Sequence, residues 1–171
     1  MRRYAITEGL GAERALEFAV HNLKRAVDII QIREKALNVH DLRDLVASVM
    51  RLASMSKTLI FVNGADDFGA HGVHLPAGLS SRNKLNPIPH AASGHSVPEV
   101  VAAEADGAAF VVFGPVFATG TKTPVGLDAL RSAAAAVRVP VFALGGVTEE
   151  NAASCIAAGA AGIAGIRLFR P

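Results

Sequence analysis

A single cysteine (Cys155), no tryptophan and one tyrosine (Tyr4) stand in a chain of 171 residues. One thiol excludes a disulfide framework and a multi-cysteine zinc site, and it points to a reducing, cytoplasmic compartment. A surplus of one charge is also lacking. Seventeen basic residues against fifteen acidic ones leave +2, too little to attract nucleic acid on charge alone. No apolar run reaches the roughly 18 residues that a membrane span needs. The opening Met1–Thr7 segment turns polar too soon for a secretory signal, so neither membrane nor nucleic acid is an expected partner. Linkers and low-complexity tracts are missing as well, and residues 1–171 read as one domain long enough to bury a core.

What the chain does have is 51% apolar residues, 16 glycines and many alanines, arranged as short β-like runs alternating with helical ones. Strands are predicted at 4–7, 28–33, 58–62, 72–75, 90–94, 108–113, 139–144 and 161–166. Helices are predicted at about 12–25, after Asn38, after Ser96, at 127–137 and at 148–158. Leu42, Leu45, Val46, Val49, Met50 and Leu52 recur at three- and four-residue steps, one apolar helix face, with Asn38 and Asp41 placed to cap its start. Phe110–Phe113 and Val141–Leu144 are apolar without alternation, as strands covered on both faces are. Eight strand candidates in β-α alternation predict a closed (β/α)8 TIM barrel. A doubly wound sheet is second, because Thr7-Glu8-Gly9-Leu10-Gly11 lacks the third glycine of a dinucleotide fingerprint.

Ligands of such a barrel bind where strands end. The polar residues there are Gln31, Arg33 and Lys35, then Asn63, His74, Ser93 and His95, then Thr119, Thr121 and Lys122. Gly145 and Gly146 follow strand seven, and Gly165, Ile166 and Arg167 end strand eight. Glycines there let backbone N–H groups approach phosphate oxygens, and a helix starting at Thr148 adds its positive end; a plain tight turn is the alternative. Period two places Gln31, Arg33 and Lys35 on one face, where they suit an anion; an exposed strand exit with Glu34 pairing Lys35 is the alternative. Imidazole is the side chain suited to acid/base work near neutrality, which makes His95 the natural general acid/base, although a lone histidine is more often a surface or packing residue. Ser96 and Glu99 read as a capping box. His71 and His74 lack a third ligand, Asp66 and Asp67 read as loop residues, and Cys155 reads as core.

Gln31-Ile32-Arg33-Glu34-Lys35, Gly72-Val73-His74-Leu75, Phe113-Gly114-Pro115-Val116-Phe117 with Thr119, Thr121 and Lys122, and Leu144-Gly145-Gly146-Val147-Thr148 follow one another in a recognisable order. In that order and spacing, over nearly the whole chain, the sequence resembles the thiamine phosphate synthase superfamily. The resemblance implies a TIM barrel and one of two reactions. A synthase joins a pyrimidine pyrophosphate to a thiazole phosphate with Mg2+. A TenI-like tautomerase aromatises a thiazole carboxylate phosphate by proton transfer without a metal. The synthase pattern carries Asn-Asp after strand three and an acid near its His-Leu-Gly-Gln, which hold Mg2+ and pyrophosphate. This chain has Asn63-Gly64 and His74-Leu75-Pro76-Ala77-Gly78 instead.

The tautomerase branch is therefore the expected one, with no cofactor, and with Mg2+ only if the synthase reading holds. The resemblance then implies His95 as the proton shuttle and Lys122 as the group stabilising developing charge. It implies Gln31, Arg33, Lys35, Asn63, Ser93, Thr119 and Thr121 as substrate contacts, and Gly145, Gly146, Gly165 and Ile166 as the phosphate cradle. Arg167 stands where the family commonly has serine, and it either adds a phosphate contact or crowds the site. A synthase and a non-catalytic barrel that binds a phosphorylated ligand are the alternatives, and a homo-oligomer is left open. Eight units leave about 21 residues each, against roughly 250 for a whole typical barrel. The shortage falls between Asn63 and Gly72 and between Leu75 and Ser93, which predicts a minimal barrel with shortened third and fourth helical connections.

Overall fold

The structure is a computed structural model that describes residues 1–77, 88–120 and 123–171. Eight strands form a closed parallel barrel in sequence order: β1 (Arg2–Ile6), β2 (Ile29–Ile32), β3 (Leu59–Asn63), β4 (Gly72–Leu75), β5 (His90–Gly94), β6 (Phe110–Phe113), β7 (Val141–Leu144) and β8 (Gly162–Gly165). Closure runs through β1 and β8, where Tyr4 lies opposite Ala164. Helices α1 (Ala12–Lys24), α2 (Val39–Ala53), α3 (Val97–Ala105), α4 (Gly126–Ala136) and α5 (Glu149–Ala157) cover the outside. A 3-10 turn, Arg167–Phe169, follows β8. No helix among the described residues is long and apolar enough to cross a membrane.

Local chemistry sets the helix starts. Asn38 accepts a hydrogen bond from the Asp41 amide and opens α2, and Thr148 and Asn151 form a reciprocal capping box on α5. The box expected at α3 is displaced by one residue. Ser96 accepts from the Glu99 amide, but the Glu99 carboxylate accepts from the amide of His95 (2.9 Å). Helix α1 has no side-chain cap of its own at Gly11. Residues 64–71 join β3 to β4 without a helix, turning where Asp67 accepts from the Gly69 amide at 2.7 Å. The third connection is thus shortened as expected. The fourth falls largely on residues 78–87, outside the described residues.

The period-two pattern divides the strands between two cores. Outward strand residues Ile30 and Ile32 pack against Val46 and Val49 of α2, and Val111 and Phe113 share a core with Leu130 of α4 and Cys155 of α5 on the opposite side of the barrel. Inward residues Tyr4, Phe61, Phe110 and Phe142 fill the lumen, with ring centroids 5.2–5.9 Å apart in tilted and edge contacts. Gly72 and Gly162 make room for these rings. A Cβ on Gly72 would lie 2.8 Å from the Phe61 ring, and one on Gly162 would lie 2.8 Å from that of Phe142. The lumen is therefore plugged by aromatic rings, and the polar inward residues Gln31, Asn63, His74 and Ser93 come towards the C-terminal ends of their strands.

Candidate active site at the C-terminal mouth

Five side chains from five successive strands form one hydrogen-bonded chain. Asn63 Oδ1 lies 3.2 Å from Gln31 Nε2, and Gln31 Oε1 accepts from the Tyr4 hydroxyl at 3.0 Å. The same hydroxyl lies 2.8 Å from His74 Nδ1, and His74 Nε2 lies 2.9 Å from Ser93 Oγ. Tyr4, Gln31 and His74 are buried, while Asn63 and Ser93 are half-buried at the two ends. Burial pushes His74 down to about 4, and the Arg33 guanidinium pushes it the same way. Burial also raises the Tyr4 phenol well above its ordinary value. Both groups are consequently neutral at physiological pH. Sequence reasoning named four of the five members and missed Tyr4. The signal was there, since a sole tyrosine inside an apolar strand needs a partner for its hydroxyl.

His95 follows β5 on the exposed rim. Its Nδ1 sits against the carbonyl oxygen of Gly114, just past β6. A carbonyl only accepts, so Nδ1 carries the proton and Nε2 is left as the basic nitrogen. Pairing of Gly94 with Phe113 in the β5–β6 register is what brings the two residues together.

The loops after β6 and β7 are laced together. The amides of Val116 and Phe117 donate to the carbonyls of Leu144 (2.8 Å) and Gly145 (2.9 Å). Gly145 and Gly146 have φ of +92° and +64°, and a Cβ on either would press into Pro115 or Phe117 at under 3 Å. The glycine pair thus makes a tight turn packed against the loop after β6. The start of α5 is less open to an anion than expected. Its capping box already takes the amides of Thr148 and Asn151, and Glu149 and Glu150 occupy the first turn. Gly165 and Ile166 are half-buried where β8 ends, Thr119 is half-buried on the β6–α4 loop, and Arg167 is exposed. Thr121 and Lys122 lie outside the described residues.

One expected cluster is rearranged. Strand β2 ends at Ile32, and a turn begins at once, with the Leu37 amide donating to the carbonyl of Glu34. Lys35 is exposed on that turn, so the single face expected for Gln31, Arg33 and Lys35 does not extend to it. Glu34 does not take Lys35 as its partner either. Its buried carboxylate accepts the amides of Gly9 (3.1 Å) and Gly11 (2.8 Å). Arg33 is held at its backbone, where its amide donates to Thr7 Oγ1 at 2.8 Å.

A sequence profile described as thiamine monophosphate synthase matches residues 3–169. The chain belongs to the thiamine monophosphate synthase family. A protein of Aquifex aeolicus, named as a candidate second thiamine-phosphate synthase, is 37% identical over 98% of this chain and 97% of its own length. A thiamine-phosphate synthase of Methanoculleus marisnigri is 39% identical over 80% of this chain and 71% of that one. The solved thiamine phosphate pyrophosphorylase of Pyrococcus furiosus superposes with a TM-score of 0.87 at 28% identity, covering 96% of this chain and 85% of that one. Membership makes this protein an enzyme of thiamine biosynthesis. The activity its relatives are named for is the synthase reaction, second in the sequence analysis, and their names do not single out the tautomerase branch.

The family's synthase reaction implies Mg2+, and the residues present do not fit that ion. Among the described residues no three His, Cys, Asp or Glu side chains gather as a metal site. Asp67 is committed to the Gly69 amide, and Glu34 to Gly9 and Gly11. Residues 68–98 contain no acid at all, so the segment spanning the ends of β4 and β5 offers no hard carboxylate oxygen.

Proposed function

We propose that this protein acts on a phosphorylated thiazole at the C-terminal mouth, and that its reaction is metal-independent proton transfer of the tautomerase type. The observation that carries this reading is the contact of His95 Nδ1 with the Gly114 carbonyl, which leaves Nε2 as a base on the rim. His95 takes a proton from one carbon of a thiazole carboxylate phosphate and returns it to another, an isomerisation that needs no second reactant. The backbone of Gly145, Gly146, Gly165 and Ile166 receives the phosphate with the Thr119 and Thr121 hydroxyls. Arg33 and the Gln31 amide face the carboxylate, Asn63 and Ser93 contact the ring side, and Lys122 offsets developing negative charge.

The second reading, condensation of a pyrimidine pyrophosphate with a thiazole phosphate, has the names of the relatives in its favour. Two incubations separate them. Tautomerase activity gives an aromatised thiazole by NMR in the presence of EDTA. Synthase activity gives thiamine phosphate only when both substrates and Mg2+ are supplied, and that outcome replaces the first reading. For a tautomerase, His95→Ala keeps ligand binding and loses about 10^2- to 10^4-fold in turnover. Undiminished turnover in that variant removes His95 from the mechanism. Binding without turnover in wild type assigns the barrel to ligand binding alone.

A further inference from the structure

The five-membered chain has a direction, and one residue sets it. A neutral imidazole donates from one nitrogen and accepts at the other, and a phenol has a single proton to give. Gln31 offers its amide oxygen to Tyr4 and its amide nitrogen to Asn63. The Tyr4 proton therefore goes to Gln31, and Tyr4 must receive from His74 Nδ1 at 2.8 Å. His74 Nε2 is then the acceptor, and Ser93, 2.9 Å away, spends its own proton inward.

We propose that Tyr4 is a positioning residue: by fixing the tautomer of His74 it turns the lone pairs of Ser93 towards the mouth, where they accept from an N–H or O–H group of the ligand. The opposite direction would make Ser93 a donor suited to phosphate oxygens. This direction keeps the phosphate at the β7 and β8 ends; because a neutral thiazole carries no N–H, the donor that meets Ser93 at the β5 end is its protonated ring nitrogen. Burial of both Tyr4 and His74 supports this, because each stays neutral and so keeps one donor and one acceptor role. Tyr4 itself is buried behind Gln31 and His74 and reaches the ligand only through them.

The ring-nitrogen shifts of 15N-histidine-labelled protein read the tautomer directly, with His74→Gln assigning the signal. Wild type is expected to hold His74 as the neutral Nδ1–H form. Tyr4→Phe removes the acceptor of that proton, and Gln31→Met removes the acceptor of the Tyr4 proton and frees it to face Nδ1. Both variants are expected to switch His74 to the Nε2–H form, so failure of one to fold leaves the other. An Nε2–H form in wild type, or an unswitched tautomer in a folded variant, overturns the proposal. The ligand part rests on the proposed function. There Tyr4→Phe raises KM about fivefold with little change in kcat, the size of one lost hydrogen bond. Unaltered KM in a variant whose tautomer has switched overturns the role of Ser93. An inactive wild type with the expected tautomer overturns the proposed reaction and not the direction of the chain.

Discussion

His74 ties the chemistry of one side chain to the stability of the barrel. Burial holds it down to about 4, against 6.5 for a free histidine, so the unfolded chain binds a proton between those values that the folded chain refuses. Stability is fully present above pH 6.5 and is lost as pH falls towards 4, at about 1.4 kcal/mol per pH unit and about 3 kcal/mol in all. His90, also lowered by burial, adds in the same direction. Urea titrations at pH 7, 5.5 and 4.5 should therefore give falling midpoints in wild type. His74→Gln should flatten most of that slope, and an equal slope in the variant would shift the cause to His90 and the carboxylates. A histidine between Val73 and Leu75 in a short apolar run is legible as a strand-end residue. Its neutrality is not, because that depends on burial by the assembled barrel and on the nearby Arg33 guanidinium.

At the scale of elements, the sequence was most readable where each run agrees with its own periodicity. β4 and β5 begin and end where predicted, although β5, His-Ala-Ala-Ser-Gly, is poor in strand-forming residues and is held by its neighbours β4 and β6. Contacts between elements were not readable. Glu34 looked like the local partner of Lys35, yet it reaches back across the β1–β2 pair to the start of α1. Helix α1 opens on Gly11 without a side-chain cap, and the Glu34 carboxylate takes over that role from 23 residues away, with its charge at the positive end of the helix. Glu34→Ala should leave the Gly9 and Gly11 amides without partners and cost about 1–3 kcal/mol. Hydrogen exchange should speed up in the first turn of α1 and stay unchanged in α4. If stability falls without faster exchange there, the carboxylate matters for packing and not as a cap.

For the whole molecule, the distribution of charge around the mouth decides what kind of ligand stabilises it. Over residues 68–98 the chain carries no acid, while Arg33 and Arg167 sit at the ends of β2 and β8 and Lys35 on the turn beyond β2. The one buried carboxylate near β2, that of Glu34, is occupied by backbone amides. Arg33, Lys35 and Arg167 favour an anion, with Asp66 and Asp67 after β3 and Glu149 and Glu150 after β7 working against it. A thiazole phosphate at a hundred times its Kd should add about 2.7 kcal/mol to folding. For a domain of this size that corresponds to a rise in Tm of roughly 5–10 °C. If the proposed phosphate cradle of backbone and hydroxyl groups is right, the rise should persist in EDTA and shrink in high salt, where the screening length falls to about 3 Å at 1 M. A rise that requires Mg2+ would mean that the ion arrives with the ligand's own phosphates. That result would return the condensation named in the relatives to first place, with the missing carboxylates replaced by substrate oxygens.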